Sequence, residues 1–386
     1  MKAFICSFLC LCLGIGIAQG ETHTAPMVRP GDHTSMRAGG DAHDKSVCTT
    51  CAPGQLMVRP GDRTSTTRFG EGLFRYAEWG HSLYADEHPN FVRMDVPYTT
   101  NRPIYDYGAS GEAYRWQTMG IFGMQLPLWY GQVCDSTMAI SVVSGMSANL
   151  WMDLFGKKTS PIVDCDYRIG LPTVAFLHRI DKGFAHNYAV SWSPFKHEST
   201  HIGDELQIQH VEQEHALKRV NVSYNYTELT FTLNEAEDRR TENHCFRVGL
   251  MLLWDWKEGW YHIYDEDGDA SLAQPRLSPW EAYLQYQYQS PTSKHGFQGI
   301  ASAEIRNRAL YGYNLSNREG ETPVLQNEGR VFTYNVFLGA RYCAPRYHGI
   351  YSHWSLGIRA YHGNCPYGQF RNIKNFNQIG LCLIIE

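Results

Sequence analysis

The sequence predicts an all-β chain closed into an antiparallel barrel of the outer-membrane type. It has room for about 12 strands of the roughly 9–11 residues that a tilted spanning strand needs. Three observations predict this. From Ser141 to Leu154 the residues alternate without a break: Val142, Ser144, Met146, Ala148, Leu150 and Met152 share one side, and Ser141, Val143, Gly145, Ser147, Asn149 and Trp151 the other. That run is long for a globular strand, which usually spans about five or six residues. Similar runs recur down the chain, and all of them follow an N-terminal export signal.

The signal occupies residues 1–20. Lys2 supplies the positive charge, Phe4–Ile17 the apolar stretch, and Ala18-Gln19-Gly20 the small residues a peptidase accepts, so the mature chain is expected to begin at Glu21. The stretch is short for the roughly 20 residues of a spanning helix. Residues 21–70 are poor in large apolar side chains and cannot offset the entropy of ordering, so a disordered extension is expected. They carry a direct repeat, Met27–Ser35 returning as Met57–Ser65, with a Pro-Gly turn in each copy. Duplication in a tolerant tail accounts for it; a short motif for a periplasmic partner is the functional alternative. Residues 71–94, with Leu73, Phe74, Tyr76 and Trp79, are expected to form a short helix and turn that caps or plugs the barrel. Residues 95–386 are expected to form the barrel itself.

Within the barrel the strand signal is explicit. Phe122, Met124, Leu126 and Leu128 share a face, as do Tyr188, Val190 and Trp192, and Phe246, Val248, Leu250 and Leu252. Trp280, Ala282, Leu284, Tyr286 and Tyr288 oppose Gln285, Gln287 and Gln289. Phe332 to Tyr342, Trp354 to Ala360 and Ile379 to Ile385 repeat the pattern. So many twisted strands leave exposed edges unless the sheet closes, which favours a barrel over a two-sheet sandwich. The 24 Tyr and 10 Trp provide material for aromatic girdles, and a mean hydropathy of −0.39 suits a barrel diluted by a polar lumen and loops. A net charge of −5 offers no basic stripe for nucleic acid. Of the 11 cysteines, Cys48 and Cys51 form a single CxxC, and no second pair completes a zinc ribbon.

Four stretches, Leu83–Pro89, Asp166–Pro172, His197–Glu205 and Asn364–Arg371, stand in an order that resembles a family of exported bacterial proteins, catalogued as domain of unknown function twelve hundred and seven. Two motifs are distinctive, Asp-Tyr-Arg-x-Gly-Leu-Pro and His-x-Ser-x-His-x-Gly-Asp-Glu. The resemblance covers about residues 80–386 and implies an outer-membrane barrel; it supplies no activity.

His197-Glu198-Ser199-Thr200-His201 matches H-E-x-x-H, which means zinc hydrolysis only on a helix, where residues four apart share a face. Asn187–Ser193 alternates as a strand, and on a continuing strand the two histidines lie roughly 13 Å apart at about 3.3 Å per residue, too far for one zinc. Continued inward, that strand puts Ser191, Ser193, Phe195, His197, Ser199, His201, Gly203 and Glu205 on the lumen. A hydrogen-bonded lumen network is the preferred reading, since buried polar groups pair anyway. The sharper alternative is an outer-membrane lipid esterase or deacylase using His197, Ser199 and Glu205. Neighbours on one strand face stand about 6.6 Å apart, so a Ser–His bond is more easily made with a partner strand. Asp164, Asp166 and Arg168 are expected to form a lumen charge cluster, Arg371 with Tyr367 and Gln369 to do the same near the last strand, and Asp204 to line the lumen. Asp265, Asp267 and Asp269 start like a calcium loop, but Ala270 and Arg276 break the pattern. Asn221, Asn225 and Asn314 sit in sequons that matter only in a eukaryotic source.

These observations lead to a cell-outer-membrane barrel that is non-enzymatic, either a narrow pore or a surface-exposed binding protein. It would require no metal or cofactor, contact outer-membrane lipid, and accept a small solute or lipid as ligand. The lipid hydrolase is the first alternative. A soluble exported binding protein is the second, because Glu386 stands where outer-membrane strands commonly finish on an aromatic residue.

Overall fold

Side chains that alternate between apolar and polar over runs longer than a globular core can use build one antiparallel sheet of 15 strands. The computed structural model describes residues 82–87, 89, 91–100, 116–133, 137–152, 162–203, 221–236, 241–253, 261–264, 270–271, 280–314, 324–343, 353–370 and 374–386. The export signal, the repeat-bearing extension, Cys48, Cys51 and the Asp265–Asp269 loop lie outside these residues.

In chain order the strands are β1 (Val92–Thr100), β2 (Thr118–Val133), β3 (Met138–Met152), β4 (Ile162–Gly170), β5 (Thr173–Lys182), β6 (Ala185–Ile202), β7 (Asn221–Leu233) and β8 (Asn243–Leu253). They continue as β9 (Tyr261–Tyr264), β10 (Ala270–Ser271), β11 (Trp280–Gln289), β12 (Phe297–Asn314), β13 (Val324–Cys343), β14 (His353–Gly363) and β15 (Phe376–Ile385). β1 pairs with β15 from Val92↔Ile385 to Thr100↔Asn377 and with β2 on its other side, so the first and last strands close the sheet. A sandwich has no such closing pair. β4 and β5 lie end to end between β3 and β6 and fill one strand position, while β9 and β10 form a small hairpin on the end of β7. The wall is therefore a closed antiparallel barrel of 12 strands.

Its two faces differ as the alternation requires. Val248, Leu284, Leu338, Leu356, Ile358 and Leu381 are exposed on the outside, while Gln285, Glu304, Arg306, Asn335 and Arg359 are buried inside. A belt of exposed aliphatic side chains around a polar interior is the arrangement of outer-membrane barrels. The strand ends Thr100, Met152, Ile202 and Leu253, from which the longer connections leave, lie at one end of the barrel; Gly183 and Phe184 make a short turn at the other. In barrels of this type the long-loop end is the extracellular one.

The lumen is packed in layers. At the long-loop end Met119, Trp151, Val163, Tyr361, Cys365, Tyr367, Phe370 and Phe376 form a buried cluster, into which the connection between β14 and β15 folds. At the other end Tyr84, Phe91, Ile300, Phe337, Cys382 and Ile384 form a second. Between them run ion pairs. Arg306 reaches Glu304 at 3.0 Å, Glu87 at 3.6 Å and Asp86 at 3.9 Å, and Arg308 reaches Glu87 at 2.7 Å. Asp95 takes Arg93 at 3.2 Å and Arg359 at 3.1 Å. Such pairs survive burial because each charge meets its opposite; removing one partner is what becomes costly.

Of the cap expected over 71–94, residues 71–81 lie outside the described part. Leu83–Asp86 form a turn inside the barrel, closed by Asp86 N donating to Leu83 O at 2.9 Å, and the wall already begins at Val92. Tyr84 anchors the turn. Its N–H donates to Gln287 Oε1 at 2.9 Å, and its hydroxyl, within 2.8 Å of Ser355 Oγ, accepts from Arg341 Nε at 2.7 Å and donates to Glu386 Oε2 at 3.0 Å.

Three interruptions of the wall stand at a proline, which has no N–H to give a ladder; further register shifts, such as that between Leu310 and Tyr311, occur without one. Register slips between Pro127 and Trp129 in β2, so Leu128 leaves the face expected for it beside Leu126 and becomes the extra residue of a bulge. Leu171-Pro172 separates β4 from β5. In β6 the register slips between Ser193 and Lys196, where Pro194 and Phe195 together oppose Thr227.

Candidate functional site

The bulge in β6 decides which way the histidine row points. Before it, Asn187, Ala189 and Ser193 are buried in the lumen; after it, Glu198 and Thr200 are. One extra residue in a strand exchanges the two faces for everything beyond it. His197, Ser199 and His201 therefore stand on the outer face, and the expectation that they line the lumen is corrected. Proline at 194 was the available signal, because its missing donor favours a bulge at that place.

On the outer face His197 meets a neighbour from β7. Register pairs His197 with Asn225, and His197 Nδ1 lies 2.7 Å from Asn225 Oδ1. A carboxamide oxygen can only accept, so Nδ1 carries a proton, and in the neutral imidazole Nε2 then keeps its lone pair. Ser199 is two residues along the same face, about 6.6 Å away along the strand, with no hydrogen bond between the two side chains in this structure. Nucleophile–base bonds are often long before substrate is bound. A hydroxyl, an imidazole with its outer nitrogen free, and a carboxamide fixing the imidazole are the parts of a nucleophile–base–orienter triad. His201 completes the row, its ring 5.8 Å from that of Tyr167 on β4.

The surroundings are apolar. Tyr167 and Ile169 of β4, Trp192 of β6, and Leu229 and Phe231 of β7 are exposed on the same side of the wall. A polar row bordering such a belt costs free energy on a lipid face, least of all near the interface, and intramembrane polar groups mark function more often than packing. The row lies towards the ends of β6 and β4 at the long-loop rim.

The lumen beneath holds Asp166 and Arg168. Arg168 Nε donates to Glu198 Oε2 at 3.0 Å and its Nη2 lies 4.0 Å from Asp166 Oδ2. Thr200 Oγ1 donates to Asp164 Oδ1 at 3.2 Å, and Gly368 N donates to Asp166 Oδ1 at 3.1 Å. Residue 368 must be glycine, because a Cβ there would lie 2.6 Å from Thr200 Cγ2. Three of the four motif stretches thus meet at one place in the lumen, and Leu83–Pro89 supplies the turn below them. Burial pushes the thiol of Cys365, in the β14–β15 connection, well above its ordinary range, which leaves it a poor nucleophile.

Asp204, Glu205 and Arg371 lie outside the described residues, so the His197–Ser199–Glu205 grouping has no geometry here. The H-E-x-x-H residues are on a strand, with Glu198 on the face opposite both histidines, and do not converge on one metal position. Among the described residues no group of three or more His, Cys, Asp and Glu side chains is arranged to hold a metal ion. Asn225 was missed as a site residue. Its signal was a carboxamide in phase with Leu229 and Phe231 on an outward face, legible only once β7 is known to lie beside the shifted half of β6.

No protein-family model matches the chain, and no curated protein matches it. Among solved structures it is similar to the Salmonella typhi outer membrane phospholipase (OMPLA) dimer with bound calcium, at 14% identity and TM-score 0.39, over 77% of this chain and 91% of that one. It is similar to outer membrane phospholipase A from Escherichia coli at 13% identity and TM-score 0.39, over 77% and 96%. The TodX monoaromatic hydrocarbon channel matches at 8% identity and TM-score 0.33, over 76% and 87%.

Proposed function

We propose that this chain is an outer-membrane barrel that hydrolyses acyl ester bonds of membrane lipids, with Ser199 as nucleophile, His197 as general base and Asn225 as the residue that orients His197. The observation that carries this is the His197–Asn225 bond on the outward face, in line with Ser199 and bordered by the apolar belt. A lipid ester lying against that belt reaches Ser199 without leaving the bilayer. Ser199 Oγ attacks the ester carbonyl while its proton passes to His197 Nε2; His197 returns the proton to the departing alcohol oxygen, leaving an acyl-serine. Water then releases the fatty acid. The ion pairs that cross the lumen favour this over a narrow pore, because a solute path would have to part buried charges.

A long-chain alkyl fluorophosphonate tests the proposal. It should label the purified, folded barrel at Ser199, seen as one adduct by intact mass and located by peptide mapping. His197→Ala should lose the label. Absence of labelling in folded protein, or labelling elsewhere, contradicts it.

A further inference from the structure

Three prolines of the wall, Pro127, Pro172 and Pro194, fall on one row. Pro127 pairs with Val143, Val143 pairs with Thr173 just past Pro172, and Thr173 Oγ1 lies 2.7 Å from Ser193 Oγ, beside Pro194. Along this row the ladder is thin. Between the pairs Val143↔Thr173 and Met146↔Ile169, β3 is tied to its neighbour by the Ser144 side chain, whose hydroxyl donates to Gly170 O at 2.9 Å.

Behind the row lies a cavity of about 120 Å³. Its inner wall carries the hydroxyls of Ser141, Ser147, Ser191 and Thr230, and Lys196 and Glu228 stand in it as an ion pair. It is also lined by Met146, Ile169 and Leu171, which are 41%, 61% and 54% exposed on the outer face. The cavity lining thus includes residues from both faces of the wall at the break. One of these lining residues, Ile169, is the register partner of His197. A water needs roughly 10–15 Å³ of such space and 2–4 polar partners, so this polar cavity has room and bonding for several.

A hydrolase whose nucleophile faces lipid has a specific difficulty. Its acyl-serine forms where water is scarce, yet breakdown of that ester consumes one water per turnover. The geometry points to the lumen cavity as the supply of hydrolytic water, delivered through the break in the wall to His197 and Ser199. In that step a water from the cavity gives a proton to His197 Nε2 as its oxygen bonds to the acyl carbon. The acyl–Oγ bond breaks, Ser199 Oγ takes the proton back from His197, and the carboxylic acid departs. The apolar rim of Met146, Ile169 and Leu171 keeps bulk lipid out of the polar cavity between turnovers. This inference rests on the Ser199–His197–Asn225 proposal.

Ser191 lines the cavity without belonging to the triad, so Ser191→Phe fills the supply and leaves the nucleophile intact. Purified wild-type and variant barrels are given a long-chain p-nitrophenyl ester in detergent micelles, and acyl-enzyme is followed by intact mass. The expected result is acylation at the wild-type rate, accumulation of acyl-enzyme, and turnover reduced about tenfold, within the up-to-100-fold loss that a misplaced reactant can cause. Thr230→Leu fills the cavity from the next strand and should act in the same direction if Ser191→Phe fails to fold. Unchanged turnover with no accumulated acyl-enzyme in a folded variant overturns the inference, because water then arrives from outside the barrel. A wild-type protein that neither hydrolyses the ester nor forms acyl-enzyme overturns the triad itself, an outcome distinct from the other two.

Discussion

Replacing Asn225 with alanine removes the acceptor that holds His197 Nδ1 at 2.7 Å and leaves the nucleophile and base in place. A neutral hydrogen bond contributes roughly 0.5–1.5 kcal/mol net, and about 1.36 kcal/mol corresponds to a tenfold rate change, so losing this one should slow acyl transfer roughly 2- to 13-fold. The freed imidazole can also turn or change tautomer, which pushes the effect towards the upper end. Because Asn225 contacts His197, the loss should appear in kcat with KM nearly unchanged, the pattern of an interaction that matters in the transition state. Asn225→Asp should recover part of the rate, since a carboxylate also accepts from Nδ1–H. Initial rates on a phospholipid in mixed micelles measure this, with heat-modifiability on gels reporting that each variant is folded. An Asn225→Ala barrel that is folded and hydrolyses lipid at the wild-type rate refutes the orienting role.

Two other substitutions separate fold from chemistry. Glu198→Gln breaks the lumen pair with Arg168; breaking a buried pair typically costs about 3–5 kcal/mol, so the unfolding midpoint should fall while the folded fraction keeps its activity. Lost activity at an unchanged midpoint would instead place Glu198 in the chemistry. Tyr84→Ala removes a buried aromatic and leaves Arg341 without that acceptor; large-to-small changes of this kind cost about 3–5 kcal/mol, so thermal unfolding should come earlier. Deleting 21–70 should leave the midpoint where it was, because that segment has too little apolar surface to join a core.

Much of the wall was legible because alternation is a local property. Phe246 to Leu252, Phe332 to Tyr342 and Ile379 to Leu383 could be assigned to an outward face from sequence alone, and the structure places them there. Phase failed at bulges. Leu128 and the His197–His201 row were each displaced by one inserted residue, and a period of two has no memory across such an insertion. The Asp164–Asp166–Arg168 cluster was readable because no irregularity separates those three positions from one another. Asn225 was not, since its role comes from a neighbour in another strand, and register between strands is set by pairing that a single sequence does not display. A turn plugging the barrel was expected over residues 71–94, but not what holds it: the partners of Tyr84 and Ala85, namely Gln287, Ser302, Asn335 and Arg341, lie more than two hundred positions away.

The most direct measurement is fatty-acid release from phospholipid by the purified, folded barrel, compared with its Ser199→Ala form. Wild-type protein should release free fatty acid and lysophospholipid. The Ser199→Ala barrel, equally heat-modifiable, should release none above the lipid blank. Equal release from both, or none from folded wild-type protein, contradicts the assignment of Ser199 as a lipid-facing nucleophile.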